Sequence, residues 1–304
     1  MFESRAVAPA DLVANGKTLS SAPDRLGHLV PTDPAVGVAA IRARYQENGY
    51  VWLKGFLRWA DVIDFRGWVF SHLADTGLIE PGSDPALGIA ADGMLDKGLA
   101  DRRLMSLVRS ATYEGFCAQP RLSGFMDQFL GGLSYLHKRK LMRFTQPGTP
   151  AATPAHYDLV YLRGGTSRLV TAWIPIGDTP LEMGGLAYLE GSHAIGTAME
   201  ARFEKDNAAL APQERISAFN RNMTEGGWVS KDLPDMAERF DTRWLVADYE
   251  AGDMVLHSPF MIHASTTNRS VDRRIRLSTD IRYQNVDDEI DARWNNHWSL
   301  DDML

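Results

Sequence analysis

The sequence predicts a mainly β protein with flanking helices, whose core is an antiparallel sandwich or a jelly roll. Two observations support this prediction. Amphipathic helical patterns dominate residues 1–132, whereas residues 133–285 consist of short β-rich segments separated by Gly and Pro. Parallel sheets need crossover helices, and most of these segments follow one another without a helix, so we expect antiparallel pairing. We expect one domain over residues 1–304, with residues 286–304 as a C-terminal tail.

The N-terminal part is predicted to begin as an arm and to continue as helices. Residues 1–33 lack sustained periodicity and are expected to lie over the body of the protein. A capping Asp33 before Pro34 and a closing Asn48-Gly49 pair predict the first helix. The segment "YVWLKG" that follows is typical of a short strand. Further helices are predicted over residues 57–77, 100–117 and 120–130.

The β-rich part contains six segments of alternating or continuous apolar character. They are "SYLHKRKLMRFTQ", "RLVTAWIPI", "GLAYLEGS", "TRWLVADY", "DMVLHSPFMIHAS" and "RIRLSTDIRYQ". Residues 198–241 interrupt them with a charged, helix-prone insertion. Such an excursion between strands is often a lid or a rim element.

Composition narrows the classes of partner. The net charge of −7 argues against nucleic acid or an anionic membrane as the main partner, because both require a dense basic face. The sequence contains neither a signal-peptide pattern nor an apolar run of about 18 residues, so we expect a cytoplasmic protein. We expect its partner to be a small-molecule substrate. The single cysteine, Cys117, excludes an internal disulfide and a Cys-rich metal site. The oligomeric state is left open.

The triplet His156-Tyr157-Asp158 in "PAHYDLVYLRGG" is a candidate metal site. In a strand, residues two apart face the same side, so His156 and Asp158 could bind one ion while Tyr157 faces away. A third ligand must come from elsewhere, and "GDMVLHSPFMIHAS" offers His257 and His263. Two histidines and one carboxylate leave three positions of an octahedron open, which is typical of non-haem Fe(II) oxygenases.

The order of these motifs resembles a known family. His-x-Asp is followed by "GGLAYLEGSH", then by "GDMVLHSPFMIHAS" and an arginine-bearing strand, as in the phytanoyl-CoA dioxygenase family of Fe(II)/2-oxoglutarate-dependent oxygenases. The likeness runs from about Gly49 to Tyr283 and includes the entry segment "ENGYVWLKGFL". The resemblance implies a double-stranded β-helix, a cupin-like jelly roll, that uses iron(II), 2-oxoglutarate and O2. It also implies His263, which opens a His-x-Ser segment, as the last ligand in preference to His257.

The resemblance further implies a site for the co-substrate. The second carboxylate of 2-oxoglutarate needs a cation, ideally a bidentate arginine. The family spacing after His263 places this arginine at Arg274, with Arg273 and Arg276 as alternatives. In "RIRLSTDIRY" polar and apolar residues alternate, as expected for a strand with one face toward a polar cavity. Family positions that flank 2-oxoglutarate correspond to Trp173, Met142 and Ser265. Candidates for lining a substrate pocket are Tyr157, Tyr161 and Arg282.

The reaction that the resemblance implies oxidises 2-oxoglutarate to succinate and CO2 and hydroxylates a carbon centre of a small organic metabolite, with secondary metabolism as one setting. Halogenases of this type replace the ligand carboxylate by Ala or Gly, so Asp158 indicates an oxygenase. Two alternatives stay open, a cupin-like metal-binding isomerase and a metabolite-binding protein without turnover. Arg274 favours the oxygenase, because a carboxylate clamp at this offset is expected only if 2-oxoglutarate binds.

Overall fold

The structure is a computed structural model and describes residues 12–211, 214 and 228–300. Its strands are β1 (Val13–Ala14), β2 (Lys17–Thr18), β3 (Leu26–His28), β4 (Pro31–Thr32), β5 (Tyr50–Leu53), β6 (Ser134–Leu136), β7 (Leu141–Thr145), β8 (Leu169–Pro175), β9 (Leu186–Leu189), β10 (Trp244–Val246), β11 (Met254–His257), β12 (His263–Ser265) and β13 (Arg276–Asn285). The described helices are α1 (Val38–Asn48), α2 (Trp59–Leu73), α3 (Lys97–Leu107), α4 (Ala111–Cys117), α5 (Pro120–Leu130), α6 (Leu159–Leu162), α7 (Ser192–Asp206) and α8 (Leu233–Arg239).

Two sheets form the core. The larger sheet has the strand order β4-β5-β11-β8-β13-β6, with β7 also paired to β13, and the smaller sheet has the order β12-β9-β10-β3. The pairs within the predicted β-rich part are antiparallel, as expected, whereas β3 and β4 add parallel strands at the edges. The mainly β, jelly-roll fold class predicted from the sequence is confirmed. None of the described helices is both long enough and apolar enough to cross a membrane.

Side chains pack on both faces of the larger sheet. Between the two sheets, Trp173 meets Tyr249 edge to face with ring centroids 4.7 Å apart, and Tyr50 stacks on Tyr188 at 5.7 Å. On the outer face, a second apolar cluster lies beneath the helices and includes Leu277 and other residues of β13. Burial of apolar surface in both layers holds the sandwich together and leaves polar side chains of β13 for the interior.

The predicted helices are present with two changes. Asp33 caps a 3-10 turn at Pro34–Val36, and Gly37 at φ +88° separates this turn from α1. The single helix predicted over residues 100–117 is wrong, because it is two helices. Ser110 accepts a hydrogen bond from the Tyr113 amide and so starts α4 as a separate helix after α3.

The N-terminal segment differs more from the prediction. The described residues of the expected arm form β1 to β4, and two of these strands join the two main sheets. The predicted insertion of residues 198–241 contains the end of α7 and all of α8, while its residues 212–213 and 215–227 lie outside the described residues. The predicted tail folds back as a 3-10 turn at Ala292–Asn295, which buries Trp294.

Candidate metal centre and adjoining cavity

Two backbone segments bring the predicted ligands together. His156 and His263 exchange backbone hydrogen bonds of 3.0 and 2.9 Å, which places His156 beside β12. Asp158 does not continue this strand, so the prediction that both ligands lie in one strand is wrong. Its backbone is helical at φ −65° and ψ −31°, and α6 begins at the next residue. The turn arises because the apolar side chains of α6 are buried in the core and the Leu159 amide bonds to Pro259.

One oxygen of Asp158 faces the two histidines. The Oδ1 atom lies 3.7 Å from His156 Nε2 and 3.8 Å from His263 Nε2. One ligand atom from each of the three residues lies within 4.8 Å of the others. The Asp158 and His263 side chains are buried, and His156 is nearly so. These atoms form one face that a single ion could bind.

The other oxygen of Asp158 is held by the larger sheet. Oδ2 accepts hydrogen bonds from Thr171 Oγ1 at 2.5 Å and from Arg282 Nη2 at 3.1 Å, and His257 Nε2 lies 3.4 Å away. Thr171 is directly opposite His257 on one neighbouring strand and opposite Arg282 on the other, so the register sets the three side chains in one row. This row fixes the carboxylate and keeps Oδ1 toward His156 and His263.

His257 therefore stands behind the carboxylate. It is completely buried, and its Nδ1 atom lies 3.2 Å from the Tyr188 hydroxyl. Its Nε2 atom lies 3.4 Å from Asp158 Oδ2 but forms no hydrogen bond with the described residues, so a chain of polar contacts, not of hydrogen bonds throughout, runs from Tyr188 through His257 to Asp158. Of the two histidines that the sequence left open, the geometry favours His263 as the ligand.

The imidazoles of His156 and His263 are oriented by their own backbone. His156 Nδ1 is 2.9 Å from the Pro154 carbonyl, and His263 Nδ1 is 3.0 Å from the Met261 carbonyl. Because these carbonyls accept the Nδ1 proton, the Nε2 lone pairs are directed into the site. Burial is the largest cause that lowers the pKa of both imidazoles, and the neighbouring histidines lower the pKa of His263 further. Neutral imidazoles are the form that binds metal.

The charge on Asp158 is also suited to a metal. Burial alone would raise the pKa of its carboxyl, but Arg282 and the neighbouring His257 and His263 more than offset this and hold the pKa well below its usual value. The carboxylate is thus charged at neutral pH. Two neutral imidazole nitrogens and one carboxylate oxygen fit iron(II) and leave three positions of an octahedron for other ligands.

A cavity of about 280 Å³ adjoins these residues. It is lined by His156 and Asp158 and by two of the predicted substrate residues, Tyr161 and Arg282. Seven other lining residues were missed from the sequence, including Arg139, Arg143, Trp228 and Trp294. Arg143 could have been found from strand parity in "KLMRF", but no sequence signal places the tail residue Trp294 here.

The third predicted substrate residue, Tyr157, is not among the lining residues. Its side chain is buried in the core, and its hydroxyl donates to Glu200 Oε2 at 3.0 Å, while Arg163 binds the same carboxylate. Strand parity predicted that Tyr157 would point away from the two ligands, and it does. A contact between Tyr157 and substrate is therefore not supported.

The predicted co-substrate residues are spread over the sandwich. Ser265 lies close to the centre, because its Oγ accepts the amide of the cavity-lining Thr153 at 2.8 Å. Trp173 faces the interior in the cluster with Tyr249. Met142 lies in the helix-side cluster on the opposite face of the sheet, so the structure does not bring it to the cavity.

The three candidate arginines differ in their surroundings. Arg273 forms ion pairs with Asp92 and Glu80 and is half exposed. Arg274 is half-buried just before β13. Arg276 is buried, and burial lowers the pKa of its guanidinium to about 10. Its Nη2 donates to Thr145 Oγ1 at 3.0 Å, whereas its Nε and Nη1 atoms have no partner among the described residues.

Comparisons with known proteins identify the family of this chain. The model of the family "Phytanoyl-CoA dioxygenase (PhyH)" matches residues 45–276. The 1-deoxypentalenic acid 11-beta-hydroxylase of Streptomyces arenae is 26% identical over 247 residues, which cover 79% of this chain and 78% of that protein. The corresponding enzyme of Streptomyces exfoliatus is 26% identical over 249 residues, with the same coverage.

Solved structures show the same fold. The epimerase SnoN, solved with Fe3+, alpha-ketoglutarate and nogalamycin RO, matches with a TM-score of 0.55 and 20% identity over 85% of this chain and 87% of that chain. The carbocyclase SnoK from nogalamycin biosynthesis gives the same TM-score and identity, over 86% of this chain and 89% of that chain. With the family model spanning most of the sequence, the chain belongs to the phytanoyl-CoA dioxygenase family of iron- and 2-oxoglutarate-dependent oxygenases.

Proposed function

We propose that this enzyme hydroxylates a carbon centre of a small organic metabolite in secondary metabolism, with 2-oxoglutarate and O2 as co-substrates and succinate and CO2 as products. The observation that carries the proposal is the division of the Asp158 carboxylate, with Oδ1 facing His156 and His263 and Oδ2 held by the sheet. The names of the curated relatives, hydroxylases of 1-deoxypentalenic acid, support hydroxylation.

The protein would act mainly by positioning. His156, His263 and Asp158 Oδ1 would hold iron(II), and the bound iron and 2-oxoglutarate supply the activation of O2 and the oxidising power. The aromatic side chains of Tyr161, Trp228 and Trp294 would orient the substrate beside the metal and exclude water. The carboxylate ligand Asp158 also supports oxygenase over halogenase chemistry, because no position is vacated for a halide.

For the second carboxylate of 2-oxoglutarate we propose a site at the start of β13, formed by Arg274 and Arg276 together. The family spacing supports Arg274. The Nε and Nη1 atoms of Arg276 are buried and have no partner in the described part of the chain, which supports the second arginine, since unpaired buried donors are costly until an anion binds them. Arg273 is not included, because its guanidinium is already paired with surface carboxylates.

We also propose that residues 1–304 act as one domain in the cytoplasm, with neither nucleic acid nor membrane as a partner. The net charge of −7 supports this, since neither an anionic membrane nor nucleic acid attracts an acidic protein. Fractionation of the producing cells tests the location. Enzyme activity that sediments with membranes would contradict it.

The experiment for the proposed function is a screen of small organic metabolites with the iron(II)-loaded enzyme, 2-oxoglutarate, ascorbate and 18O2. We expect at least one metabolite to stimulate succinate formation and to yield a product that carries one atom of 18O. If succinate formation is stimulated but the product is epimerised or cyclised, the proposed cofactors are correct and the proposed hydroxylation is wrong. A protein that binds iron(II) but neither binds nor consumes 2-oxoglutarate would contradict the proposal.

A further inference from the structure

The cavity beside the metal centre is rich in arginine side chains. Three of its described lining residues are arginines, Arg139, Arg143 and Arg282, and the one lining carboxylate is Asp158. Because Asp158 is a predicted metal ligand, its negative charge would be offset by iron(II). Arg143 is already paired with Asp280 at 3.5 Å, so the guanidinium that Asp158 would no longer balance is that of Arg282. Such a charge favours an anionic ligand.

Arg282 carries unused hydrogen-bonding capacity toward this cavity. Its side chain is buried, and one nitrogen, Nη2, donates to Asp158. The Nε and Nη1 atoms are also buried and have no hydrogen-bond partner among the described residues. Buried polar groups in folded proteins are nearly always paired, so two unpaired donors on one guanidinium point to a missing acceptor.

A second guanidinium lies beside the same aromatic ring. The Cζ atoms of Arg282 and Arg139 are 5.0 and 5.2 Å from the centre of the Trp294 ring, and both arginines are buried. Trp294 is fixed in turn, because its indole nitrogen donates to the Tyr161 carbonyl at 3.2 Å. Both guanidinium groups line the cavity beside this ring, and a ligand carboxylate there would accept charge-assisted hydrogen bonds from the Nε and Nη1 atoms of Arg282.

The region around Arg282 and Arg139 is separate from the proposed co-substrate site at Arg274 and Arg276. Arg276 and Arg282 share the inner face of β13 but are six positions apart, which corresponds to about 20 Å along a strand. Asp158 contacts Arg282, so the metal centre lies toward the Arg282 end. A 2-oxoglutarate molecule whose second carboxylate binds at the start of β13 would leave Arg282 and Arg139 to contact a different anion.

We propose that the substrate carries a carboxylate, which Arg282 and Arg139 bind against Trp294, while Tyr161 and Trp228 contact an apolar body. The inference rests on the proposed function, since it names the substrate class of that same site. The curated relatives are named for an acid as substrate, 1-deoxypentalenic acid, which agrees with a carboxylate-bearing ligand.

The test uses matched pairs of an acid and its neutral amide, namely acetate with acetamide, benzoate with benzamide, and adamantane-1-carboxylate with adamantane-1-carboxamide. Each is titrated calorimetrically and anaerobically into the full chain loaded with iron(II) and 2-oxoglutarate. At least one acid should bind about tenfold or more tightly than its amide, as expected for charge-assisted hydrogen bonds. Arg139→Gln and Arg282→Lys should reduce this preference to about threefold or less. Arg202→Gln on the exposed face of α7 removes the same charge and should leave it unchanged.

The variants separate the possible failures. Equal binding of acids and amides by the unaltered enzyme, across all three pairs, overturns the carboxylate proposal. So does an Arg139→Gln variant that weakens 2-oxoglutarate binding and leaves the acid preference intact, because the region around Arg282 and Arg139 would then hold the co-substrate. Failure of the unaltered enzyme to bind 2-oxoglutarate overturns the proposed function instead. Arg282 is the arginine that donates to Asp158, so Arg139→Gln remains informative if Arg282→Lys disturbs iron binding.

Discussion

His257 Nε2 lies 3.4 Å from Asp158 Oδ2, on the opposite oxygen from the one that faces His156 and His263. This relationship separates a histidine that supports the carboxylate from the two that face the metal position. Sequence spacing alone leaves His257 and His263 as competing ligands, since both lie in one short segment. The geometry gives them different tasks that substitutions can distinguish.

The first prediction concerns these two histidines. His263→Ala removes a ligand and should abolish measurable iron(II) binding by anaerobic calorimetry. His257→Gln removes only the support behind Asp158 and should weaken binding by about 10- to 100-fold while keeping one iron per chain. Binding that survives His263→Ala but not His257→Gln would reverse the assignment.

Thr171 offers a test of how the carboxylate is anchored. Its hydroxyl donates to Asp158 Oδ2 at 2.5 Å, and the side chain is completely buried. Thr171→Val keeps the shape but removes the donor, so the iron(II) affinity should fall by roughly tenfold. Thr171→Ser keeps the donor and should retain an affinity close to that of the unaltered enzyme. Equal affinities for the Val and Ser variants would show that the hydrogen bond does not orient Asp158.

Substitutions of the three candidate arginines should differ in their effect on the concentration of 2-oxoglutarate that the enzyme requires. Arg274→Gln and Arg276→Gln should each raise the 2-oxoglutarate concentration needed for half-maximal succinate formation by about tenfold or more, with iron binding retained. Arg273→Gln serves as the matched control, because Arg273 pairs with Asp92 and Glu80, and it should change the requirement little. A normal 2-oxoglutarate requirement in either of the first two variants removes that arginine from the site.

The pH dependence of stability should depend on a histidine outside the metal centre. His137 is buried beside Gln284, and burial lowers the pKa of its imidazole to about 4. The unfolded chain then takes up this proton more readily than the folded one, so the free energy of unfolding should fall as the pH drops from about 6.5 toward 4. In denaturant titrations of the metal-free protein at about pH 7.5 and 4.5, His137→Gln should reduce this loss by about 2 to 3 kcal/mol.

The exposed His28 provides the control for that measurement. His28→Gln removes a histidine of the same type from the surface strand β3 and should leave the loss of stability between the two pH values close to that of the unaltered protein. A His137→Gln variant that loses as much stability as the unaltered protein would show that His137 does not contribute to the pH dependence.

The sequence predicted the parts of the site that depend on local spacing. His156, Asp158 and His263 come together as expected, although Asp158 reaches the site from the start of α6 rather than from a strand. The alternation in β13 correctly separated an apolar outer face from a polar inner face. Periodicity over a single strand is sufficient for these results, because each rests on neighbouring residues.

Other features depend on contacts between distant segments. The cavity-lining Trp294 belongs to the tail, and only the fold-back of that tail brings it to Arg139 and Arg282. Likewise, β3 and β4 are too short to show a pattern of their own, since they exist as strands only by pairing with β10 and β5. Their hydrogen-bond partners are set by the assembled sheets and carry no local sequence signal.

The most direct measurement of the central claim is succinate formation from 2-oxoglutarate by the enzyme with iron(II), ascorbate and O2, compared with Asp158→Ala and His156→Ala. The unaltered chain should release succinate in proportion to the 2-oxoglutarate consumed, and each variant should lose both iron binding and succinate formation. Succinate formation that persists at the same rate in Asp158→Ala, or its absence from the iron-loaded unaltered enzyme with every metabolite of the screen, would contradict the account.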